Sequence, residues 1–142
     1  MATSYRELVV WQKAMSLAES AYAVAGLLPD SERFALCSQI RRAAISVPSN
    51  IAEGHERRSR AEYRRFIAIA CGSLAELETQ LELANRLHRL DQAMLTRASA
   101  LADQTGRLLR SIERALREPR IGEDPEAYGA PQPSALSPQP SR

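Results

Sequence analysis

Residues 63 to 84 carry the pattern that most restricts how this chain can fold. Apolar side chains recur there at alternating steps of four and three residues over about three heptads, which places them on one side of a helix. Ser59 and Glu62 precede the pattern with the spacing of a capping box, so the helix is predicted to begin directly after Ser59. Such a helix must cover its apolar side with other helices, and the positions on that side are Tyr63, Ile67, Ala70, Leu74, Leu77, Leu81 and Ala84.

A first helix is predicted near the start of the chain. Ser4 and Glu7 form a capping box for a helix that begins near Tyr5, and Gly26 and Pro29 mark its end. Apolar side chains at helical spacing predict which side of this helix is buried. That predicted face comprises Leu8, Trp11, Met15, Ala18, Tyr22 and Ala25.

A second helix is predicted to begin after Asp30 or Ser31, either of which can accept the hydrogen bond of an N-cap. Pro48 lies in its interior and lacks an amide donor, so we expect a local kink there. Gly54 is a candidate terminator, although the helix could continue to about Arg58. Its predicted apolar face comprises Phe34, Cys37, Ile40, Ala44, Val47 and Ile51.

The fourth predicted helix follows Asp91, which is suited to cap it. This helix carries two apolar stripes, and a double stripe needs more than one neighbour to cover it. Together with Leu17, Val24 and Leu28 of the first helix, the second stripe is expected to exceed what one bundle interior needs and to support oligomerisation. The first stripe is Met94, Ala98, Leu101, Thr105, Leu108 and Ile112, and the second is Leu95, Ala102, Leu109 and Leu116.

Four helices joined by short connections predict an all-α protein, an antiparallel up-down-up-down four-helix bundle. A composition with 44% apolar but only 5% aromatic residues agrees with closely packed helices better than with a sheet. The bundle is predicted to span residues 1–118. Residues 119–142 contain six of the eight prolines and few large apolar groups, so a disordered Pro-rich tail is predicted there.

The cysteines and the absence of long apolar runs indicate the cellular compartment in which the protein is found. Cys37 and Cys71 lack CxxC spacing and fall on apolar helix faces, which is typical of buried thiols in a reducing compartment. The first residues lack the apolar core of a signal peptide, and no run approaches the roughly 20 apolar residues of a membrane span. We therefore expect a soluble, cytoplasmic protein without a membrane partner.

Several segments, taken in order, resemble a known family. They are Leu8–Ala14 (LVVWQKA), Gln39–Ala43 (QIRRA), Ser46–Gly54 (SVPSNIAEG) and Gly72–Glu78 (GSLAELE). With them, residues 5 to 117 resemble the four-helix-bundle proteins of the 23S rRNA intervening-sequence family, and the SxPxNIAEG-type segment is the specific part.

The resemblance implies a bundle that assembles into a pentameric ring. It also implies a link to RNA or ribonucleoprotein, because some members of the family are encoded inside ribosomal RNA genes. A related branch, the accessory variability determinant, is an accessory protein to the reverse transcriptase of diversity-generating retroelements. No enzymatic activity is established for the family, so the resemblance implies a fold more firmly than an activity.

A cluster of arginines follows the specific segment and is the candidate nucleic-acid-binding site. Residues 57 to 65 contain five arginines and one acid, Glu62, a local charge of +4. A guanidinium group donates two hydrogen bonds in one plane, which matches a phosphate, and a ring would multiply the positive field. The alternative is a solvated arginine face that pairs with nearby glutamates. The candidate residues are Arg57, Arg58, Arg60, Arg64, Arg65 and, one or more turns earlier, Arg42.

A second polar group is interpreted as structural. If the second and third helices turn back near residue 57, Gln39 faces Glu76 and Arg42 faces Ser73. A buried Arg–Glu pair supported by Ser73 would fix the register of the two helices, because an unpaired buried charge costs about 3–5 kcal/mol. The predicted network comprises Arg41, Asn50, Glu53, Ser73 and Glu76.

No catalytic, metal or cofactor site is predicted. A di-iron bundle needs Glu-x-x-His on two helices, whereas Asn85 precedes His88 by three residues and Ala52 precedes His55. Neither cysteine has an evident base, and GxSxG, P-loop and GxGxxG motifs are absent from the sequence. A metal-dependent enzyme remains a further hypothesis, ranked below the two functions given next, and elemental analysis would test it.

Two hypotheses of function follow from these patterns. The first is a non-enzymatic, oligomeric bundle that accompanies RNA or ribonucleoprotein and binds the phosphate backbone through the arginine cluster. Its expected partners are further copies of itself and RNA, DNA or a nucleic-acid-bound protein. The second is a structural or protein-interaction module that binds no nucleic acid and uses the same arginines to meet acidic partners. Salt-dependent binding to a nucleic acid distinguishes them.

Overall fold

The structure, a computed structural model, describes residues 4–118. Its helices are α1 (Val9–Ala25), α2 (Leu36–Glu56), α3 (Arg60–His88) and α4 (Gln92–Arg117). Short 3-10 turns at Tyr5–Glu7 and Asp30–Glu32 precede α1 and α2. The prediction of an all-α chain with four helices is confirmed, since the described part of the chain contains helices and no strand.

The predicted capping residues begin two of the helices. The Ser59 hydroxyl accepts a hydrogen bond from the Glu62 amide at 3.0 Å, and Asp91 accepts one from the Met94 amide at 3.0 Å. These caps satisfy amides that have no partner within α3 and α4. At the start of the chain, Ser4 caps only the short turn Tyr5–Glu7, and α1 begins at Val9, later than predicted.

The apolar seam of α3 forms the centre of the core, as predicted. Six of its seven positions are buried, and Tyr63 is half-buried. The predicted face of α2 is also buried, with one exception. Phe34 is 88% exposed because it precedes the helix, and Leu36, at the start of α2, occupies the buried position instead. The helix continues through Pro48, itself buried, to Glu56.

The predicted face of α1 is largely wrong, since Ala25 is the one predicted member that is fully buried. Met15 and Tyr22 are exposed, and Leu8, Trp11 and Ala18 are only partly buried. A neighbouring stripe rotated around the helix is buried in its place, and the small side chains in it allow the adjacent helices to approach closely. That stripe comprises Val10, Ala14, Leu17, Ala21 and Val24, with Ala25 at its edge.

Both stripes of α4 are covered inside this one chain, because α4 packs against α1 on one side and α3 on the other. Ala102 and Leu109 of the second stripe are fully buried, and Leu95 and Leu116 are partly buried. Leu17, Val24 and Leu28 are buried as well. The sequence argument that these groups are surplus to one bundle was therefore wrong, and an assembly would have to use other surfaces.

Each helix packs mainly against two others. The contacts join α1 to α2, α2 to α3, α3 to α4, and α4 back to α1, enclosing one core. Within residues 4–118 no helix is both long and apolar enough to cross a membrane. The predicted tail at 119–142 lies outside the described residues.

Candidate nucleic-acid interface

The connection between α2 and α3 is tight and fixes the position of the arginine-rich segment. The Arg57 amide donates to the Gly54 carbonyl at 3.2 Å, and Ser59 then caps α3. Gly54 packs directly on α3, since a Cβ added there would lie 2.7 Å from Phe66 Cβ and 3.3 Å from the Tyr63 carbonyl oxygen. A residue without a side chain is what allows α2 and α3 to approach so closely at this point.

Two of the predicted arginines, Arg57 and Arg65, stack on the ring of buried Phe66. Their guanidinium carbons lie 4.9 and 4.7 Å from its centroid. Arg57 also pairs with Glu53 at 2.7 Å, and Arg65 with Glu62 at 3.3 Å. The charged side chains in these pairs are about half exposed, so the pairs are weak and can exchange for a phosphate.

Arg60 has a structural position. Its Nε donates to the Leu116 carbonyl at 3.0 Å, and its Nη2 donates to the carbonyls of Glu118 at 2.6 Å and Ala115. Carbonyl oxygens in the last turn of a helix lack partners within it, and a cation is favoured at that end of the helix dipole. Arg60 therefore fastens the end of α4 to the start of α3, which distinguishes it from the other predicted arginines.

The remaining predicted arginines have different surroundings. Arg64 lies 3.4 Å from Glu113 of α4, measured from its Nε to a carboxylate oxygen. Arg58 is exposed and forms no ion pair with another described residue. Arg42 is exposed on α2, but it precedes the end of that helix by roughly 20 Å of helical rise, so the structure does not bring it to the cluster.

The end of α4 adds arginines that the sequence analysis did not include. The contacts from Arg60 and Arg64 place the last turns of α4 beside the start of α3. Arg107, Arg110, Arg114 and Arg117 recur there at steps of three, four and three residues, which puts them on one side of the helix. That spacing was the signal available in the sequence, but only the fold shows that this stripe reaches the α2–α3 turn.

We define the arginine surface as the exposed arginines at this junction. Arg107 and Arg117 pair with Asp103 and Glu113, each at 2.7 Å, and Arg107 lies farthest from the end of α4 and is left out. Residues 57–65 and 107–118 together carry nine arginines and three glutamates, a net charge of +6. The arginine surface comprises Arg57, Arg58, Arg64, Arg65, Arg110, Arg114 and Arg117.

Cys71 lies beside this surface, close enough for Arg110 and Glu113 to influence it. Burial raises the pKa of the Cys71 thiol, Arg110 opposes that rise, and Glu113 adds to it. The thiol is therefore held protonated rather than activated as a nucleophile. Cys37 is buried and donates to the Ala25 carbonyl at 3.3 Å.

The polar contact between α2 and α3 is built differently from the predicted network. The Ser46 and Ser73 hydroxyls are 2.7 Å apart, and Asn50 Nδ2 donates to Ser46 Oγ at 3.0 Å and to the Ser46 carbonyl at 2.8 Å. Of the predicted members, Asn50 and Ser73 are thus brought together through Ser46. Ser73 faces Ser46 instead of Arg42, so the true register differs from the predicted one by one helical turn.

The charged members of the predicted network lie elsewhere. Arg41 stacks over the Tyr22 ring of α1, with its guanidinium carbon 5.5 Å from the centroid. Glu53 pairs with Arg57, and Glu76 is exposed to solvent. The predicted buried Arg–Glu pair is therefore wrong, because Glu53 and Glu76 lie on exposed faces of their helices, where their charges remain hydrated.

Ser46→Ala is expected to lower the free energy of unfolding by about 1–2 kcal/mol, because it leaves the buried Ser73 hydroxyl without its partner. Glu76→Gln is the control, with an expected change within about 0.5 kcal/mol. Urea denaturation of both variants measures the difference. Equal losses would contradict the assignment of the polar contact to the two serines.

The histidines are held by single partners. His88 Nε2 lies 2.7 Å from a Glu32 carboxylate oxygen, and the His55 ring meets the Tyr63 ring edge-on at 5.8 Å. Among residues 4–118, no three His, Cys, Asp or Glu side chains are grouped so that they could hold a metal ion. The described residues therefore offer an electrostatic surface as their candidate site.

Comparison with known proteins gives a family match and structural matches. The sequence profile of a family described as 23S rRNA-intervening sequence protein matches residues 6–111. A crystal structure of a protein of unknown function from the S23 ribosomal protein family, from Bacteroides thetaiotaomicron, is similar with a TM-score of 0.68 and 26% sequence identity. The similarity covers 75% of this chain and 99% of that one. The search of curated proteins gave no match.

Proposed function

Because the chain belongs to the family of 23S rRNA-intervening sequence proteins, we propose that it is a non-enzymatic, oligomeric bundle that accompanies RNA or ribonucleoprotein. It binds the phosphate backbone through the arginine surface. The observation that carries the proposal is the meeting of seven exposed arginines from the α2–α3 turn, the start of α3 and the end of α4. Three of them, Arg58, Arg110 and Arg114, form no ion pair with another described residue.

The chemistry of the surface suits a backbone better than a base sequence. Planar guanidinium groups match phosphate oxygens, and contacts of this kind fix position without reading sequence. Stacking on Phe66 holds Arg57 and Arg65 in defined orientations, which reduces the conformational entropy lost on binding. Arg60 holds the two parts of the arginine surface together by fixing the end of α4 to the start of α3.

The proposal takes the bundle to be antiparallel, with an up-down-up-down course. Contacts between helix ends support this arrangement. The end of α2 packs on the start of α3 through Gly54 and Phe66, and the start of α3 meets the end of α4 through Arg60 and Leu116. The arginines of both α3 and α4 are then collected at one end of the bundle.

The proposal also includes the pentameric ring implied by the family resemblance. Exposed apolar side chains on α1 and α2 offer contacts for it, since Met15, Tyr22 and Ile45 are 38%, 40% and 48% exposed. Five copies would present the arginine surface repeatedly and raise the local field around a bound polyanion. Light scattering that finds a monomer at high protein concentration would refute the ring.

The triple variant Arg58→Gln/Arg110→Gln/Arg114→Gln is expected to weaken binding of single-stranded RNA about tenfold or more at moderate salt. The slope of log affinity against log salt should become shallower by about 2, since each phosphate contact contributes about 0.7. Fluorescence anisotropy of a labelled single-stranded RNA, titrated at several salt concentrations, measures both quantities. Duplex RNA and DNA in the same assay identify the preferred polymer.

The matched control is Arg33→Gln/Arg89→Gln/Arg97→Gln, which removes the same charge at the connections α1–α2 and α3–α4 and in the second turn of α4. It should leave the salt slope unchanged, because these arginines lie far along the helices from the arginine surface. Equal weakening in both variants would mean that only net charge matters.

The competing candidate is a protein-interaction module. It is favoured by the pairs that already engage Arg57, Arg64 and Arg65 with glutamates, together with the exposed apolar side chains of Met15, Tyr22 and Ile45. Protein that is purified free of nucleic acid and binds no polymer even at low salt would select this candidate over the proposed one.

A further inference from the structure

The last described residue, Glu118, leaves α4 beside the arginine surface. Its carbonyl oxygen accepts a hydrogen bond from Arg60 at 2.6 Å, so the point from which the following segment departs is fixed against the start of α3. Arg114 and Arg110 precede it by one and two turns, about 6 and 12 Å along the helix. The chain therefore continues from a point surrounded by the arginines of the candidate interface.

The residues that follow are acidic. Glu123, Asp124 and Glu126 fall within four positions, and Arg120 is the one cation between residues 119 and 128. Glu123 comes five residues after Glu118, and five extended residues span at most about 17 Å. This length reaches the turns of α4 that carry Arg110 and Arg114.

The acidic side chains among the described residues pair with only some of the arginines in the arginine surface. Glu53, Glu62 and Glu113 engage Arg57, Arg65, Arg64 and Arg117. Arg58, Arg110 and Arg114 are exposed and have no ion pair among residues 4–118. The number and sign of charges in the acidic segment thus match the arginines that are left.

We propose that Glu123, Asp124 and Glu126 bind the arginine surface of their own chain, chiefly at Arg110 and Arg114, and that a polyanion must displace them. The displacement rests on the proposed function, whereas the contact within the chain does not. A segment tethered so near its site has an effective concentration of millimolar order, which makes even weak carboxylate–guanidinium pairs competitive. Weak contacts to a polyanion are then suppressed, and stronger contacts still form.

The test uses the full chain and the variant Glu123→Gln/Asp124→Asn/Glu126→Gln. The control Glu19→Gln/Glu76→Gln/Glu78→Gln changes the net charge equally, at three exposed acids without an ion pair in the described part. The arginine Nε–H resonances are recorded by NMR at low salt. Affinity for fluorescent poly(U) RNA is measured by anisotropy in the same buffer.

The Arg110 and Arg114 resonances should shift in the tail variant and stay in place in the control. The tail variant should bind poly(U) about threefold to tenfold more tightly than the unaltered chain, and the gain should disappear near 0.5 M salt. Resonances that do not shift would overturn the contact. Equal gains in affinity for both variants would overturn the displacement.

One further outcome separates the two proposals. If the resonances shift but neither protein binds poly(U) or duplex nucleic acid, the contact within the chain is supported. The proposed function is then overturned, and with it the displacement by a polyanion.

Discussion

Leu77→Ala is expected to lower the free energy of unfolding by about 3–5 kcal/mol, the largest effect of any substitution proposed for this chain. Leu77 is fully buried in the seam of α3, at the centre of the core. Truncation removes methyl groups that packed against neighbouring helices and leaves a cavity that those helices can fill only partly. Urea denaturation followed by far-ultraviolet circular dichroism measures the loss.

Leu83→Ala provides the matched comparison, because Leu83 is on the same helix and exposed. Its expected effect is within about 0.5 kcal/mol. If the two variants lose similar stability, α3 does not present Leu77 to the core, and the assignment of the seam is wrong.

Gly54→Ala is expected to destabilise the protein by about 1–3 kcal/mol, although alanine favours a helix over glycine by about 1 kcal/mol. The added Cβ would lie 2.7 Å from Phe66 Cβ, so α2 and α3 would have to separate. The arginine surface depends on that contact, since Arg57 and Arg65 stack on the same Phe66 ring. Thermal and urea denaturation both report the change.

The same substitution at Gly72 should have the opposite sign. A Cβ at Gly72 meets nothing within 4 Å, so Gly72→Ala should stabilise the protein by about 0.5–1 kcal/mol. Destabilisation at both positions, or at neither, would contradict the close approach of α2 and α3 at Gly54.

Sequence patterns within a single helix correctly predicted where that helix begins and which face it buries, where capping and periodicity decide these features. The cap at Ser59 and the apolar repeat from Tyr63 to Ala84 both belong to α3, and both are found in the structure. Most of the buried face of α2 was also predicted correctly from its apolar periodicity. Phe34 was misplaced because the 3-10 turn at Asp30–Glu32 delays the start of α2 to Leu36, and the sequence contains no strong signal for that delay.

The face of α1 could not be chosen from its own sequence. One stripe contains Trp11, Met15 and Tyr22, and the other contains Ala14 and Leu17, each at helical spacing. Helical periodicity is therefore consistent with the burial of either stripe. The second is buried because its smaller side chains let α2 and α4 approach, whereas the larger Met15 and Tyr22 of the first remain exposed.

The candidate site was predicted only in part, for a related reason. A slip of four residues keeps the same apolar face of a helix buried, so the core pattern does not fix register, and Ser46 rather than Arg42 faces Ser73. Arg60 could be recognised as a clamp only once the carbonyls of Leu116 and Glu118 were beside it. The contribution of Arg110 and Arg114 likewise depends on the contact between distant segments.

The contact between α1 and α4 joins the two helices that are farthest apart in the sequence. α1 packs against α2 on one side and α4 on the other, and α4 is the last described helix to be synthesised. An intermediate with only the first three helices would leave the core open along one side. Neither outer helix can open as an independent unit without exposing the core of the others, so folding and unfolding of this bundle should be cooperative from end to end.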